Sequence, residues 1–334
     1  MNGAEAARLC SRGTKTRILV SRSNINALTA EYGKLPEAKK NLEIVPLLLQ
    51  SDQLTVEVMM KLMSYSEQEG YVPLYMAVVQ RVLRDMVIAS GGGPFRYTEF
   101  RKRLENETFS KDQMNLLEIR FSLLESFLDL SKNKGKRGSV FAVQPGTLTI
   151  IDLTDPFVDA STACILFDIC LKLFKNNRFA CGLVVALDEA HKYMNASGAA
   201  MIFTDRLLTT IREQRHNATR VIIATQEPTI SEKSMELCSI TIVHRFTSPT
   251  WFTAIKNHLG GASSLTSTPE SQSEMFEKIL NLQTGQSLLF SPSSYLNVVN
   301  GCPKKLGFEV AKMKTRMRFS ADGGKSELAT GRMN

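Results

Sequence analysis

The chain has 334 residues, 43% of them apolar and 22% charged, which allows a sizeable core in one large domain or two ordinary ones and excludes wholesale disorder. No apolar run approaches the roughly 20 residues of a membrane-spanning helix, and the opening MNGAEAARLCSRG lacks the apolar stretch of a secretory signal. The net charge of +8 is uneven: residues 1–22 carry five basic side chains against one acid, and residues 304–334 carry eight against three, so two basic ends flank a near-neutral body, a distribution that fits contact with nucleic acid.

After a basic N-terminal segment (residues 1–16), residues 17–21 (RILVS) predict the first strand. Residues 51–138 then read as successive helices without a strand. One starts near Ser51 and Asp52, and a second runs over 73–89 and ends at Gly91-Gly92-Gly93-Pro94. A third covers 97–106, and the fourth, over 110–130, opens with the capping box Ser110…Gln113. This stretch predicts an all-helical insertion. The basic loop 132–138 (KNKGKRG) leads out of it and offers charge to phosphates. Five more short apolar runs follow: 148–153 (LTIIDL), 183–187 (LVVAL), 221–225 (VIIAT), 240–243 (ITIV) and 287–290 (SLLF). Helical patterns at 159–176 and 200–215 separate the first three. Strands that are apolar at every residue predict burial on both faces, as in a parallel sheet with helices on either side. The fold class is therefore α/β, a three-layer core over residues 17–50 and 139–310 with a mostly parallel sheet. Residues 311–334 read as a basic, flexible tail.

Six cysteines, at 10, 164, 170, 181, 238 and 302, form no CxxC pair and no zinc-like spacing with His. Cys164, Cys170, Cys181 and Cys238 lie in or beside apolar segments. That predicts buried, reduced thiols and an intracellular protein of cytoplasm or nucleus. The Arg- and Ser-rich start imitates a mitochondrial transit peptide, but strand 17–21 begins too soon after it.

The strongest chemical signal is LVVALDEAH, residues 183–191. A buried strand cannot carry charge inside, so Asp188 and Glu189 must emerge at its carboxyl end, where parallel α/β sheets bind ligands. Adjacent strand residues point to opposite sides, which lets the two carboxylates take different tasks. In a Walker B arrangement the first holds Mg²⁺, usually through water, and the second polarises the water that attacks a γ-phosphate. The bland alternative is a strand-to-helix junction with Asp188 as N-cap. A second apolar strand ends in Thr225-Gln226, and an amide there can serve phosphate and lytic water at once. Basic residues form the third signal: Arg215 closes the helix before that strand, and Arg245 follows the next strand. Either can stabilise charge on a transferring phosphoryl group from a neighbouring subunit, or pair locally at an element end. Asp152, at the end of strand 148–153, and Thr225 are further candidates for contacting a nucleotide. Asp155 before Pro156 is first a turn signal. His191 is read as packing the turn, and Trp251 and Phe252 as helix core.

Taken together, LTIIDL, LVVALDEAHKYM, LLTTIREQRHNATRVIIATQEPTI, SITIVHRF and LQTGQSLLFSP resemble the HerA/FtsK family of hexameric DNA-pumping ATPases, nearest to its HerA branch and the related type IV secretion ATPases. The resemblance spans about residues 17–310. It implies a RecA-like sheet, ATP with Mg²⁺ held between subunits of a homo-oligomeric ring, and nucleic acid, DNA by preference, in the pore. It also implies Walker B acids at Asp188 and Glu189 with Mg²⁺ at Asp188, a sensor glutamine at Gln226, and arginines near Arg215 and Arg245.

The family's first strand and its GxxxxGK(S/T) phosphate loop are expected upstream of Ile18, and no segment of the 334 residues matches them. Gly13-Thr14-Lys15 lacks the earlier Gly. Gly324-Lys325-Ser326 has Phe319 where the first Gly belongs. Two expectations follow: a partial translocase core that is inactive by itself, or a degenerate relative that binds or scaffolds without catalysis. The letters Asp-Glu-Ala-His also match a DEAH-box helicase, but the downstream motifs of that class are missing.

Overall fold

The computed structural model describes residues 9–33, 40–50, 53–63, 74–91, 93, 95–130, 140–178, 181–194, 198–228, 230–258, 268–299 and 301–316. The chain divides into two compact units. The first comprises Met1–Gly182, Ser197–Phe203 and Phe319–Asn334, and the second Leu183–Ala196 and Thr204–Arg318. The basic loop 132–138 and Gly324-Lys325-Ser326 lie outside the described residues, as do residues 1–8, 51–52 and 317–334.

The first unit begins with β1 (Lys15–Val20), α1 (Ile25–Gly33) and β2 (Leu42–Pro46). Four helices follow: α2 (Val56–Met63), α3 (Leu74–Ser90), α4 (Tyr97–Glu105) and α5 (Lys111–Ser126). Then come β3 (Thr147–Asp152) and α6 (Ala160–Asn176). The three strands form one parallel sheet in the order β2-β1-β3. β1 is central and buried on both faces, as its unbroken apolar run predicts. Leu19 joins the large core of the helical stretch with Met59, Val79, Phe100, Phe121 and Phe141. Ile18 and Val20, on the opposite face, pack with Tyr32. Each such side chain contributes about 1.5–3 kcal/mol by leaving water.

Local signals set the helix starts. Ser110 accepts the Gln113 amide while the Gln113 side chain accepts the Ser110 amide, completing the predicted capping box. Asp159 caps α6 by accepting the Thr162 amide at 2.7 Å. α5 stops at Ser126, short of the predicted 130, because tertiary bonds take over its backbone. Leu49 donates to Phe127 O, and Asp129 donates to Leu49 O.

Two buried charges belong to this core. Asp168 on α6 is 2% exposed and pairs with Lys61 of α2. Asp155, buried just beyond β3, accepts the hydroxyls of Ser21 and Ser23 on one oxygen and the Phe157 amide on the other. It thereby ties the end of β1 to the loop after β3. Burial opposes its charge, but those three donors outweigh burial and hold its pKa below the usual carboxylate value.

The second unit contains β4 (Leu183–Leu187), a 3-10 turn (Ala190–Lys192), α7 (Gly198–Arg212), β5 (Thr219–Ile223), α8 (Glu232–Glu236), β6 (Thr241–His244) and α9 (Pro249–Ile255). It continues with α10 (Pro269–Leu280), β7 (Gln286–Phe290), β8 (Tyr295–Val299), β9 (Cys302–Lys305) and β10 (Ala311–Lys314). The first turns of α7, through Phe203, count with the first unit. β4 and β5 pair in parallel. Ser248 and Thr268 cap α9 and α10, each followed by proline at the first helical position. These helices supply Phe252, Met275 and Ile279 to a core shared with Val243, Leu288 and Phe290.

Several expectations are corrected here. β6 and β7, read from apolarity as parallel strands, pair antiparallel in the order β10-β7-β6. An apolar run specifies burial, not direction. The pair β4–β5, expected to be buried on both faces, leaves one face open: Val184 is 64% and Ile222 57% exposed, and both belong to the face shared by Ala186 and Arg220 in the register. Residues 311–314, placed in a flexible tail, form the edge strand β10 against β7. Its alternation of Ala and Met with Lys is a half-buried pattern. Cys164 and Cys170 are buried as expected, whereas Cys238 is exposed. Helices α1, α8 and α10 and strands β2, β8 and β9 were not among the predicted elements, whereas α9 carries Trp251 and Phe252, read from sequence as helix core. Among the described residues no helix is long and apolar enough to cross a membrane.

Two stability measurements test this reading. Lys61→Met removes the ammonium from a carboxylate in the core, a change that costs about 3–5 kcal/mol for buried pairs. Urea denaturation should show a loss of that order, and a loss under about 1 kcal/mol would show the pair to be solvated. Because the folded pKa of Asp155 lies below its unfolded value of about 3.9, its stabilisation is present above that value and is lost as pH falls through the folded pKa. The parent chain should therefore lose more stability than Asp155→Asn between about pH 5 and pH 2. Parallel curves over that interval would remove the carboxylate from the account.

Candidate functional site

Strand pairing builds the site from residues far apart in sequence. In the parallel ladder Leu187 stands beside Ile223. The ladder continues past the strand ends: the Ala224 amide donates to Leu187 O at 2.8 Å, and the Ala190 amide to Ala224 O at 2.9 Å. Asp188-Glu189 and Thr225-Gln226 therefore emerge together at the carboxyl ends of neighbouring strands. The structure joins Glu189 and Gln226 directly, with Gln226 Nε2 donating to Glu189 Oε1 at 2.6 Å. The carboxylate fixes which end of the amide faces it, since only the NH₂ can donate.

The second carboxylate oxygen of Glu189 faces His191 and Lys192. His191 Nε2 lies 3.5 Å from Oε2 and Lys192 Nζ 3.9 Å from it. His191 Nδ1 stands 3.5 Å from Thr225 Oγ1, so the imidazole bridges the two strand ends. Thr225 is itself folded back, donating to Glu227 O at 2.7 Å and accepting the Glu227 amide at 3.2 Å. Tyr193, which the sequence reading passed over, donates its hydroxyl to Asp188 O and closes the turn. Glu189 has left-handed backbone, φ 54° and ψ 42°. For a residue with a Cβ this costs on the order of 1–2 kcal/mol, and such strain clusters at functional sites.

Asp188 is exposed, and its Oδ1 accepts the Glu189 amide at 3.1 Å. Among the described residues no group of three or more Asp, Glu, His or Cys side chains is placed to hold a metal ion. Mg²⁺ needs no such group, since it keeps several waters and takes one or two carboxylates plus phosphate oxygens of a substrate. Asp188 at the mouth of a parallel pair fits that habit.

The remaining candidates lie on other elements. Arg215 lies exposed in the turn between α7 and β5, at the amino end of β5 and so at the opposite strand end from Gln226. Arg245 is exposed just after β6. Neither forms an ion pair among the described residues. Asp152 belongs to the first unit. It ends β3, accepts the Thr154 amide at 3.0 Å and faces the Tyr32 hydroxyl at 3.4 Å. Burial and then Asp152 push that phenol up to about 12.

A scan against protein-family models finds no match, and no curated protein matches the chain. Among solved structures, VirB4 of Thermoanaerobacter pseudethanolicus is similar over 95% of this chain and 87% of its own, with a TM-score of 0.51 at 11% identity. The genome packaging NTPase B204 of Sulfolobus turreted icosahedral virus 2, in complex with AMPPCP, matches 52% of this chain and 68% of its own at 14% identity. Its TM-score of 0.33 is too low to argue from. At such identities likeness speaks for the fold alone, and the chain shares with VirB4 an α/β fold that holds a parallel sheet.

Proposed function

We propose that this chain carries the Walker B and sensor half of an ATP-driven nucleic-acid translocase of the HerA/FtsK type. The observation that supports this most is the 2.6 Å contact between Gln226 and Glu189 at the carboxyl ends of adjacent parallel strands. A glutamate poised to polarise water, beside an amide able to bind phosphate and water together, is what ATP hydrolysis requires at this place. Mg²⁺, when bound, would supply positive charge against the phosphates. Asp188 would hold its water shell. Glu189 would orient the attacking water and accept its proton. Gln226 would stay on Glu189 through its NH₂ while its carbonyl accepts a hydrogen bond from that water. Arg215 and Arg245, both exposed, are suited to act across a subunit boundary in a ring. The basic stretches at the two ends supply sequence-indifferent contact with DNA.

No GxxxxGK(S/T) stretch occurs in the 334 residues, so the β- and γ-phosphates need a cradle from elsewhere. The chain alone should bind Mg-ATP no tighter than about 1 mM, measured by calorimetry. Fused to a strand, phosphate loop and helix supplied by a relative, it should hydrolyse ATP. In that fusion Glu189→Gln should lower turnover on the order of a thousandfold while nucleotide affinity persists. Turnover within about threefold of the parent fusion would remove Glu189 from the chemistry. Low-micromolar affinity of the unfused chain, lost on Asp188→Ala, would reveal a different phosphate-binding element. A fusion that binds and never hydrolyses would favour the scaffold reading.

A further inference from the structure

The hairpin β8–β9 pairs only within itself among the described residues, and its register is irregular. Tyr295 stands opposite Lys305, and residue 297 opposite Lys304, so an extra residue of β8 lies between them. Such a bulge breaks strict alternation. Lys305 and Pro303 are two apart on β9 and share a face, and their partners across the hairpin are Tyr295 and Val298. One face therefore collects Tyr295, Lys305, Val298 and Pro303. All four are exposed, Tyr295 to 58% and Val298 to 69%. Lys305 Nζ sits 5.7 Å from the Tyr295 ring centroid, near the outer limit of a cation–π contact.

The base of this hairpin is fixed. Leu306, which is buried, donates its amide to Ser294 O at 2.7 Å, Gly307 donates to Pro292 O at 3.2 Å, and the Ser291 and Ser294 hydroxyls meet at 2.6 Å. The surroundings are basic. Residues 301–316 hold Lys304, Lys305, Lys312, Lys314 and Arg316 against the single acid Glu309, which binds Lys304 at 2.8 Å. Lys312 and Lys314 are exposed on alternate positions of β10 and so lie on one face.

We infer that this hairpin face is a stacking platform for single-stranded nucleic acid. The inference deepens the nucleic-acid part of the reading above and rests on it. A flat, exposed tyrosine flanked by proline and valine matches the face of a base, and every base has such a face, so the contact is indifferent to sequence. A base on the ring displaces the loosely held Lys305 ammonium, which then meets a flanking phosphate. A duplex hides its base faces in its own stack and offers the ring nothing. Leu296 and Phe308 are exposed here as well, and the flat ring set among lysines favours a polyanion with stackable bases over a lipid surface.

The test is fluorescence anisotropy of the full 334-residue chain with labelled oligo(dT) and with a mixed-sequence duplex of equal length. The parent should prefer the single strand. Tyr295→Ala should weaken single-strand binding about tenfold and leave duplex binding within twofold, whereas Tyr295→Phe should keep both. Lys305→Ala should lower the salt slope for the single strand by about one. Photo-crosslinking of the parent chain with halogenated oligo(dU), mapped by mass spectrometry, should mark Tyr295 whether or not a variant folds. If the parent binds oligo(dT) but Tyr295→Ala binds it equally and no crosslink falls on β8 or β9, the platform is overturned and the nucleic-acid reading survives. If the parent binds neither oligonucleotide at low salt, both fall. Binding to phosphatidylserine vesicles in place of oligonucleotides would overturn the inference in favour of a lipid surface.

Discussion

The parallel pairing of β4 with β5 is the constraint on which the candidate site depends. Glu189 and Gln226 are 37 residues apart in sequence, yet their side chains meet because two backbone bonds, Ala224 to Leu187 and Ala190 to Ala224, hold the chain together beyond the strand ends. A parallel ladder has one register compatible with its buried face, and a slip of one residue would turn every side chain to the other side. Val185, Leu187, Val221 and Ile223 thus fix the register through the half-buried face. The polar residues at the strand ends inherit their positions from that apolar pattern. The pattern contributes nothing to the chemistry except placement.

The same logic explains what could be read from sequence. β4 was legible to the residue because it is apolar throughout and ends in adjacent charges. The capping box at Ser110 was legible because short-range hydrogen bonds specify it. Direction of pairing was not legible, since β6 and β7 are as apolar as β4 and β5 yet run antiparallel. β8 and β9 were invisible because the side chains described on the hairpin are all exposed and impose no pattern, and its bulge breaks the alternation that remains. Within the site, the carboxylate pair and Gln226 announced themselves by standing at the ends of apolar runs. Tyr193 and Lys192 did not, because their roles follow from the tight turn after Glu189 and no spacing rule forecasts that turn.

The turn itself follows from a steric exception. Glu189 adopts left-handed backbone where Gly or Asn would sit at less cost. Its amide donates to Asp188, Ala190 is pinned to Ala224, and Tyr193 returns to Asp188 O. These bonds over-determine the conformation and hold it against its intrinsic preference. The consequence is directional. A chain that continued straight from β4 would send the two carboxylates to opposite faces, whereas the left-handed residue swings Glu189 toward the neighbouring strand and Gln226.

Charge decides what this arrangement can bind. The ends of β4 and β5 carry the Asp188 and Glu189 carboxylates with the Gln226 amide, the His191 imidazole, the Thr225 hydroxyl and Lys192. Two carboxylates facing a polyphosphate repel it, and at separations of about 4 Å each like-charge contact is worth on the order of 1 kcal/mol in water and several times that where water is excluded. A cation held by Asp188 reverses one such term. Donors on the β- and γ-oxygens must offset the rest, and a helix N-terminus preceded by a glycine-rich turn is the arrangement that supplies many of them without a matching number of cationic side chains. Gln226 and His191 offer too few donors for that task and are already engaged with Glu189 and Thr225. Under the proposed function chemistry and binding are therefore separable: these strand ends would direct a water molecule at a phosphate, and another element would have to bring the phosphate to them.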